Sequence, residues 1–210
     1  MIGTVLGGSN NFFDVECEDK ITRQCSIKGK KLKASEGYYN PLAPGDKVLV
    51  SCDEESTTKG QILDLMPRKN EFVRWNVKGR APQLLATNLD HIVIVTTPDE
   101  PPFRPRFVDR ALAQAEYEQI EPIIVCNKCD LEASQDIDFL SRVEEWENIG
   151  YKVIKISAKD RTGISELAQI LEDKLCAFMG QSGVGKSSII NVLDNSCVLK
   201  TGSLSEKYGR

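Results

Sequence analysis

Histidine is nearly missing from this chain: His91 is the one imidazole among 210 residues. A four-ligand zinc site around the pair Cys126-x-x-Cys129 therefore lacks its remaining ligands. A Ser-His-Asp hydrolase finds neither a free second histidine nor a nucleophile elbow. Long apolar runs are absent too, since no window approaches about 18 uninterrupted apolar residues. The N-terminus MIGTVLGGSNNFF has no basic start followed by an apolar core, so it does not read as a secretory signal. A cytoplasmic protein with no membrane partner is expected. No strong excess of one charge sign exists either: 27 Lys and Arg stand against 31 Asp and Glu, net −4, which argues against a chain that is basic all over. An even cysteine framework is missing as well. The seven cysteines are scattered, which fits reduced thiols.

What remains is an ordinary folded composition, 40% hydrophobic and 28% charged, with no internal repeat. Residues 1–80 carry 13 Lys and Arg against 11 Asp and Glu, so the N-terminal part is mildly basic while the remainder is acidic. Short apolar stretches at 2–6, 12–17, 21–27, 47–51 and 61–65 alternate with turn residues such as Gly7-Gly8 and Pro44-Gly45-Asp46. About five strands without a helix predict a small barrel over residues 1–75, with the oligonucleotide-binding (OB) fold as the natural candidate. Residues 76–87, around Arg80-Ala81-Pro82, read as a linker. From 88 to 210 buried-strand patterns at 91–96, 123–126, 153–156 and 177–179 alternate with helical faces. Those faces are Val108, Ala111, Leu112 and Ala115; then Phe139, Val143 and Trp146; then Ile164, Leu167, Ala168 and Leu171. An α/β domain is expected there. Trp75, Trp146 and His91 read as packing residues.

Three motifs fall at predicted strand ends. Gly180-Gln181-Ser182-Gly183-Val184-Gly185-Lys186-Ser187 fits G-x-x-x-x-G-K-[ST], between the strand AFM and the helical SSIINVL. Such a turn points backbone N–H groups and a helix N-terminus at phosphates. Lys186 would meet the β and γ phosphates, Ser187 would coordinate Mg²⁺, and Ser188 extends the loop. Asn127-Lys128-Cys129-Asp130 follows IIVC, at the edge of an open sheet where ligands bind. A carboxylate at Asp130 can accept from N1–H and the 2-amino group of guanine, and adenine offers neither. The stem of Lys128 could cover the base, and Asn127 could tie neighbouring loops together. Ser157-Ala158-Lys159 follows VIKI and resembles the third guanine motif of GTPases, in which the middle N–H reaches the base carbonyl. Taken singly, each motif could be a Gly-rich or solvated turn, and Cys126 and Cys129 could be a strand residue and a variable position.

The motif order is informative, because the base motifs precede the phosphate loop. Together with the barrel, it resembles the RsgA (YjeQ) family of ribosome small subunit-dependent, circularly permuted GTPases. The stretches that carry the resemblance are Gly45-Asp46-Lys47-Val48, Pro67-Arg68-Lys69-Asn70, Ala86-Thr87-Asn88-Leu89-Asp90, NKCD and GQSGVGKSS. The resemblance implies GTP hydrolysis to GDP with Mg²⁺, stimulated by the small ribosomal subunit during its late assembly. It implies that subunit and its rRNA as partners, and the protein is expected to be a monomer. Lys28, Lys30, Lys31, Lys33, Arg68, Lys69, Arg74, Lys78 and Arg80 are candidate rRNA contacts, each with a solvated surface charge as the alternative.

The stretch 205–210 resembles the start of the family's first switch loop. A water-positioning histidine, switch threonines, an Asp-x-x-Gly strand end and a zinc-binding region are thus expected outside these residues. The chain is expected to be a fragment that binds guanine nucleotide weakly and hydrolyses almost none alone. An RNA-binding barrel with a non-hydrolysing nucleotide pocket is the alternative. A P-loop ATPase or kinase is a third, which Asp130 argues against.

Overall fold

The computed structural model describes residues 1–9, 11–29, 32, 37–53 and 56–194. They fall into two compact units, Met1–Leu89 and the residues from Asp90 onward. Lys30, Lys31, Lys33 and the stretch 205–210, all singled out above, lie outside the described residues.

The first unit opens with β1 (Ile2–Ser9), β2 (Phe12–Cys17), β3 (Thr22–Ile27), β4 (Lys47–Cys52) and β5 (Lys59–Leu65). They close into a barrel in the order β1-β2-β3-β5-β4, with β3 and β5 parallel and the other pairs antiparallel. Alternation explains the closure: every second residue points inward, so Phe13, Val15, Cys25, Ile27, Val48, Val50 and Ile62 fill one core. Register shifts leave Leu6 of β1 and Leu63 of β5 as extra residues, which bend those two strands. At Gly60 the strands pack so closely that a Cβ would stand 3.0 Å from both Cys25 Sγ and Val50 Cγ1.

Residues 76–87 are not a linker. They complete a hairpin of β6 (Glu71–Asn76) and β7 (Ala81–Thr87), paired antiparallel. Arg80-Ala81-Pro82, read as punctuation, is the turn and the opening of β7, a position where the missing proline N–H is tolerated. A buried polar node fixes the hairpin within this unit. Asp46, fully buried, accepts from Ala43 N–H at 2.9 Å and the Thr87 hydroxyl at 2.8 Å. Arg68 completes the node from Nε at 2.7 Å and Nη2 at 3.0 Å. The same guanidinium bonds Glu71 at 3.1 Å and lies over the Tyr38 ring. A buried carboxylate is tolerable here because its acceptor capacity is filled.

In the second unit β8 (His91–Thr96), β9 (Glu121–Cys126), β10 (Lys152–Lys155) and β11 (Cys176–Gly180) form a parallel sheet in the order β10-β9-β8-β11. The helices are α1 (Pro105–Tyr117), α2 (Ile137–Ile149), α3 (Ile164–Leu171) and α4 (Lys186–Leu193). β8 is buried at every position, as expected of a strand covered on both faces. Val93, Val95, Ile123, Val125 and Ile154 share a core with Ile164 and Leu167 of α3 and Ile189 of α4. The predicted faces of α1 and α2 are the buried ones, whereas in α3 Ala168 points to solvent and Ile170 packs instead. Trp146 is 1% exposed and its indole N–H donates to Asp109 at 3.1 Å. All four strands run the same way, so Thr96, Cys126, Lys155 and Gly180 end on one edge of the sheet.

Candidate functional site

That carboxyl edge carries the three motifs. β11 ends at Gly180, where a Cβ would lie 2.5 Å from the Val95 carbonyl oxygen of the neighbouring strand, so glycine is required for the loop to leave the sheet. The loop turns through Ser182 and Gly183 into α4, whose first residue is Lys186 and second Ser187. Lys186 Nζ donates to the carbonyls of Gly180 and Gln181, both at 2.8 Å, so the ammonium sits across the mouth of the loop that launches its own helix. Burial pushes its pKa below the ordinary lysine value. An anion placed in the loop would reverse that cost.

Asn127 joins the phosphate loop to the base motifs. It is 2% exposed, its N–H donates to Thr96 O, and its Nδ2 donates to Val184 O at 2.9 Å. Its Oδ1 accepts from Ala158 N–H at 3.1 Å. The Ala158 N–H, expected from the sequence to face a base carbonyl, is therefore engaged by Asn127. Gly185 makes the clasp possible, because its backbone is left-handed (φ +95°) and a Cβ there would come within 2.3 Å of Asn127 Nδ2.

Asp130 lies beside this clasp, with one oxygen accepting from the Ser157 hydroxyl at 2.8 Å and the other 3.6 Å from Lys159 Nζ. The Ser157 hydrogen bond, aided by the Lys159 charge, holds its carboxyl below the usual carboxylate range. It is thus an ionised acceptor at neutral pH. Ser157 also caps the turn by accepting from Asp160 N–H at 3.1 Å. Lys128 adopts a left-handed backbone (φ 62°) and reaches the Glu100 carbonyl. Asn127, Lys128, Asp130, Ala158, Lys159, Gly185 and Ser188 line a cleft of about 260 Å³ with Glu100 and Leu131. The last two were not singled out from the sequence. Leu131 follows the motif directly, but Glu100 sits in a Pro-rich loop with no pattern to mark it.

The basic candidates divide. Lys28, Lys69, Arg74, Lys78 and Arg80 are exposed. Arg68 is a correction: its side chain is 7% exposed and committed to Asp46 and Glu71, so it is structural rather than an RNA contact. Trp75 is the opposite correction, 64% exposed where packing was expected. His91 opens β8, its Nδ1 3.4 Å from the Glu121 carboxylate. Cys129 Sγ donates to the Cys126 carbonyl at 3.2 Å, and burial raises both thiols above their ordinary pKa. Among the described residues no group of three or more His, Cys, Asp or Glu could hold a metal ion. No helix of the described residues is long and apolar enough to cross a membrane.

A parallel α/β sheet that presents two base-type motifs ahead of its phosphate loop, preceded by a five-stranded barrel, defines the class of circularly permuted P-loop GTPases. A family model described as RsgA GTPase matches residues 65–210. The chain is 39% identical over 207 residues to the small ribosomal subunit biogenesis GTPase RsgA of Borreliella burgdorferi strain ZS7, covering 98% of this chain and 66% of that protein. It is 35% identical to the Flavobacterium johnsoniae RsgA, covering 99% and 65%. Among solved structures, YjeQ from Thermotoga maritima superposes with a TM-score of 0.74 at 30% identity, covering 96% of this chain and 68% of that one. YloQ, described as a circularly permuted GTPase, gives 0.68 at 28% identity, covering 91% and 63%. This chain belongs to the RsgA GTPase family, and it spans about two thirds of the length of these relatives.

Proposed function

We propose that this chain is the barrel and guanine-nucleotide-binding part of a GTPase that acts in biogenesis of the small ribosomal subunit, with that subunit and its rRNA as partners. The observation that carries the reading is the Asn127 clasp, which ties the phosphate loop at Val184 to the base motif at Ala158. Asp130, ionised and half-satisfied by Ser157, accepts from the N1–H and 2-amino group of guanine. Ala158 and the stem of Lys128 line the base, and Lys159 keeps the carboxylate aligned. The backbone of residues 180–185 cradles the phosphates, with Ser188 at the far side of the loop. Lys186 exchanges its two carbonyl partners for phosphate oxygens and offsets charge that builds there as GTP is cleaved to GDP and phosphate.

Ser187, in the first turn of α4, supplies a hydroxyl of the type that holds Mg²⁺, an ion that keeps most of its ligands as waters and phosphate oxygens. Such a site needs few protein ligands, and the Ser187 hydroxyl is a hard oxygen donor of the kind that ion takes. When bound, Mg²⁺ neutralises the β and γ oxygens. Residues 127–188 bind, orient and stabilise charge, and none of them is assigned to activate water.

Calorimetric titration of this chain with GTP, GDP, ATP and xanthosine triphosphate tests the reading. Guanine nucleotides should bind in preference to ATP, and Asp130→Asn should lower the guanine-over-xanthine ratio on the order of 10³-fold, since one of the site's two acceptor oxygens becomes an N–H donor. Equal binding of ATP and GTP by the native chain would sink it.

A further inference from the structure

The loop that contributes Glu100 to the nucleotide cleft also borders a second hollow. Pro98 and Phe103 of that loop, with residues 135–139 at the start of α2, line a groove of about 600 Å³. Phe103 is half-buried, its ring fixed by edge contacts with Phe139 and Trp146 at 5.0 and 6.1 Å between centroids. Ile137, which also lines the groove, is 80% exposed and stands between Asp136 and Asp138. Neither carboxylate has a hydrogen-bond or ion-pair partner among the described residues. Acidic residues are ordinary in a first helical turn. Asp136, however, sits at the N-cap of α2 without making a capping bond, so its acceptor oxygens are not spent on the helix. Charge along both lining segments has one sign: no lysine or arginine occurs between Lys128 and Arg142 or between His91 and Arg104. Arg104 and Arg106, next along the chain, are not among the lining residues.

A ligand for this groove must be cationic and must bring apolar surface. RNA and anionic lipid carry the wrong charge and are repelled here. A divalent ion finds only Asp136 and Asp138, and among the described residues no group of three or more His, Cys, Asp or Glu could hold a metal. A polyamine has the charge but leaves Ile137 in water. An arginine-bearing stretch of polypeptide supplies both features: a guanidinium stacks on an aromatic ring and pairs with carboxylates, and a neighbouring apolar side chain covers Ile137. The chain already holds one arginine in this way farther along α2, where Arg142 lies 5.7 Å over Trp146 and bonds Asp109 and Glu145. We propose that the groove between the 98–103 loop and the first turn of α2 docks a basic protein segment, with an arginine on Phe103 between Asp136 and Asp138 and an apolar neighbour on Ile137. The proposal does not rest on the nucleotide reading, yet it puts the partner on the loop whose Glu100 carbonyl holds Lys128.

A fluorescein-labelled peptide of alternating arginine and leucine, titrated with this chain and followed by anisotropy, is the test. The native chain should bind it saturably and more tightly than a peptide of alternating arginine and serine. Asp136→Asn combined with Asp138→Asn should weaken binding roughly 2- to 30-fold, the range for two exposed charge pairs. Ile137→Ser should weaken it about 5-fold through lost apolar contact, whereas Ile137→Leu should retain it. Glu144→Gln combined with Glu147→Gln removes the same charge elsewhere on α2 and should change nothing. All five positions are exposed, so circular dichroism and GTP titration of each variant should match the native chain. Equal weakening by the two charge-removing pairs would overturn the proposal, because the attraction would then belong to the whole acidic surface. Unaltered binding by the Asp136 and Asp138 pair would do the same. So would unaltered binding by Ile137→Ser, and displacement of the peptide by spermidine would in that case mark a polyamine site. Absence of saturable binding by the native chain would also sink it, while the guanine titrations still judged the nucleotide site alone.

Discussion

In the barrel, β2 buries every second residue, whereas in the parallel sheet β8 buries all six. The contrast follows from what covers each sheet: the barrel encloses one face and leaves the other to water, while β8 is packed on both sides. Function is confined accordingly. In the second unit a ligand can reach only strand ends, where backbone geometry restricts the residues to glycines at 180 and 185 and an amide at 127, and such restrictions read as motifs. In the first unit outward positions abound and none is tied to a fixed spacing. Its polar residues divide into those that hold the unit together, such as Asp46 and Arg68, and those that face out, such as Arg74 and Trp75, and sequence alone does not tell the two apart.

That division can be broken experimentally. The largest effect is expected from Asp46→Ala, which strands the buried Arg68 guanidinium and should cost about 3–5 kcal/mol in urea unfolding followed by circular dichroism. Pairing it with Arg68→Met should recover much of that loss, and a cost under about 1 kcal/mol for Asp46→Ala alone would show that the node is not what anchors the hairpin. Gly185→Ala comes next. Left-handed backbone and the clash with Asn127 together should cost about 1–3 kcal/mol and weaken guanine-nucleotide binding. Gly150→Ala, equally left-handed at φ 109° but with nothing within 4 Å of its Cβ, should cost only about 1 kcal/mol and leave nucleotide binding intact. If both behaved alike, the close approach to Asn127 would carry no weight.

The smallest effect concerns acid. Arg23 bonds Asp19 at 2.8 and 2.7 Å and holds its carboxyl down to about 2. A depressed carboxylate stabilises the fold fully above its ordinary value of 3.8 and loses that contribution as pH falls through about 2. Asp19→Asn should therefore flatten the fall in stability between those two values while leaving stability near pH 7 slightly reduced. An unaltered acid limb would remove this pair from the account.

Much of this was legible beforehand, for identifiable reasons. HIVIVT could only be a strand buried on both faces, and the apolar positions of α1 and α2 repeat at helical spacing with nothing to compete. The three motifs were readable as loops at strand ends because close approach leaves few residue choices. The hairpin was missed since β7 owes its pairing to contacts distant in sequence: Thr87 to Asp46, and the Leu84 N–H and carbonyl to the Asn40 side chain. Arg68 was misread for the same reason, its partner Asp46 lying in a different turn. Trp75 was misread because large aromatic residues are usually buried, and only its neighbours in space reveal that this one is not.

β11, from which the phosphate loop hangs, pairs with β8 alone among the described strands, whereas Asn127 and Asp130 follow β9, which is flanked on both sides. On the proposed reading the two ends of one nucleotide would meet strands of unequal permanence, and the amides of 178–180 should exchange with solvent sooner than those of 124–126. A nucleotide gripped at both ends would act as a fastener across the sheet, slowing exchange at the edge by the same free energy with which it binds. Occupancy of the site would then be recorded in the mechanical firmness of β11 in this chain.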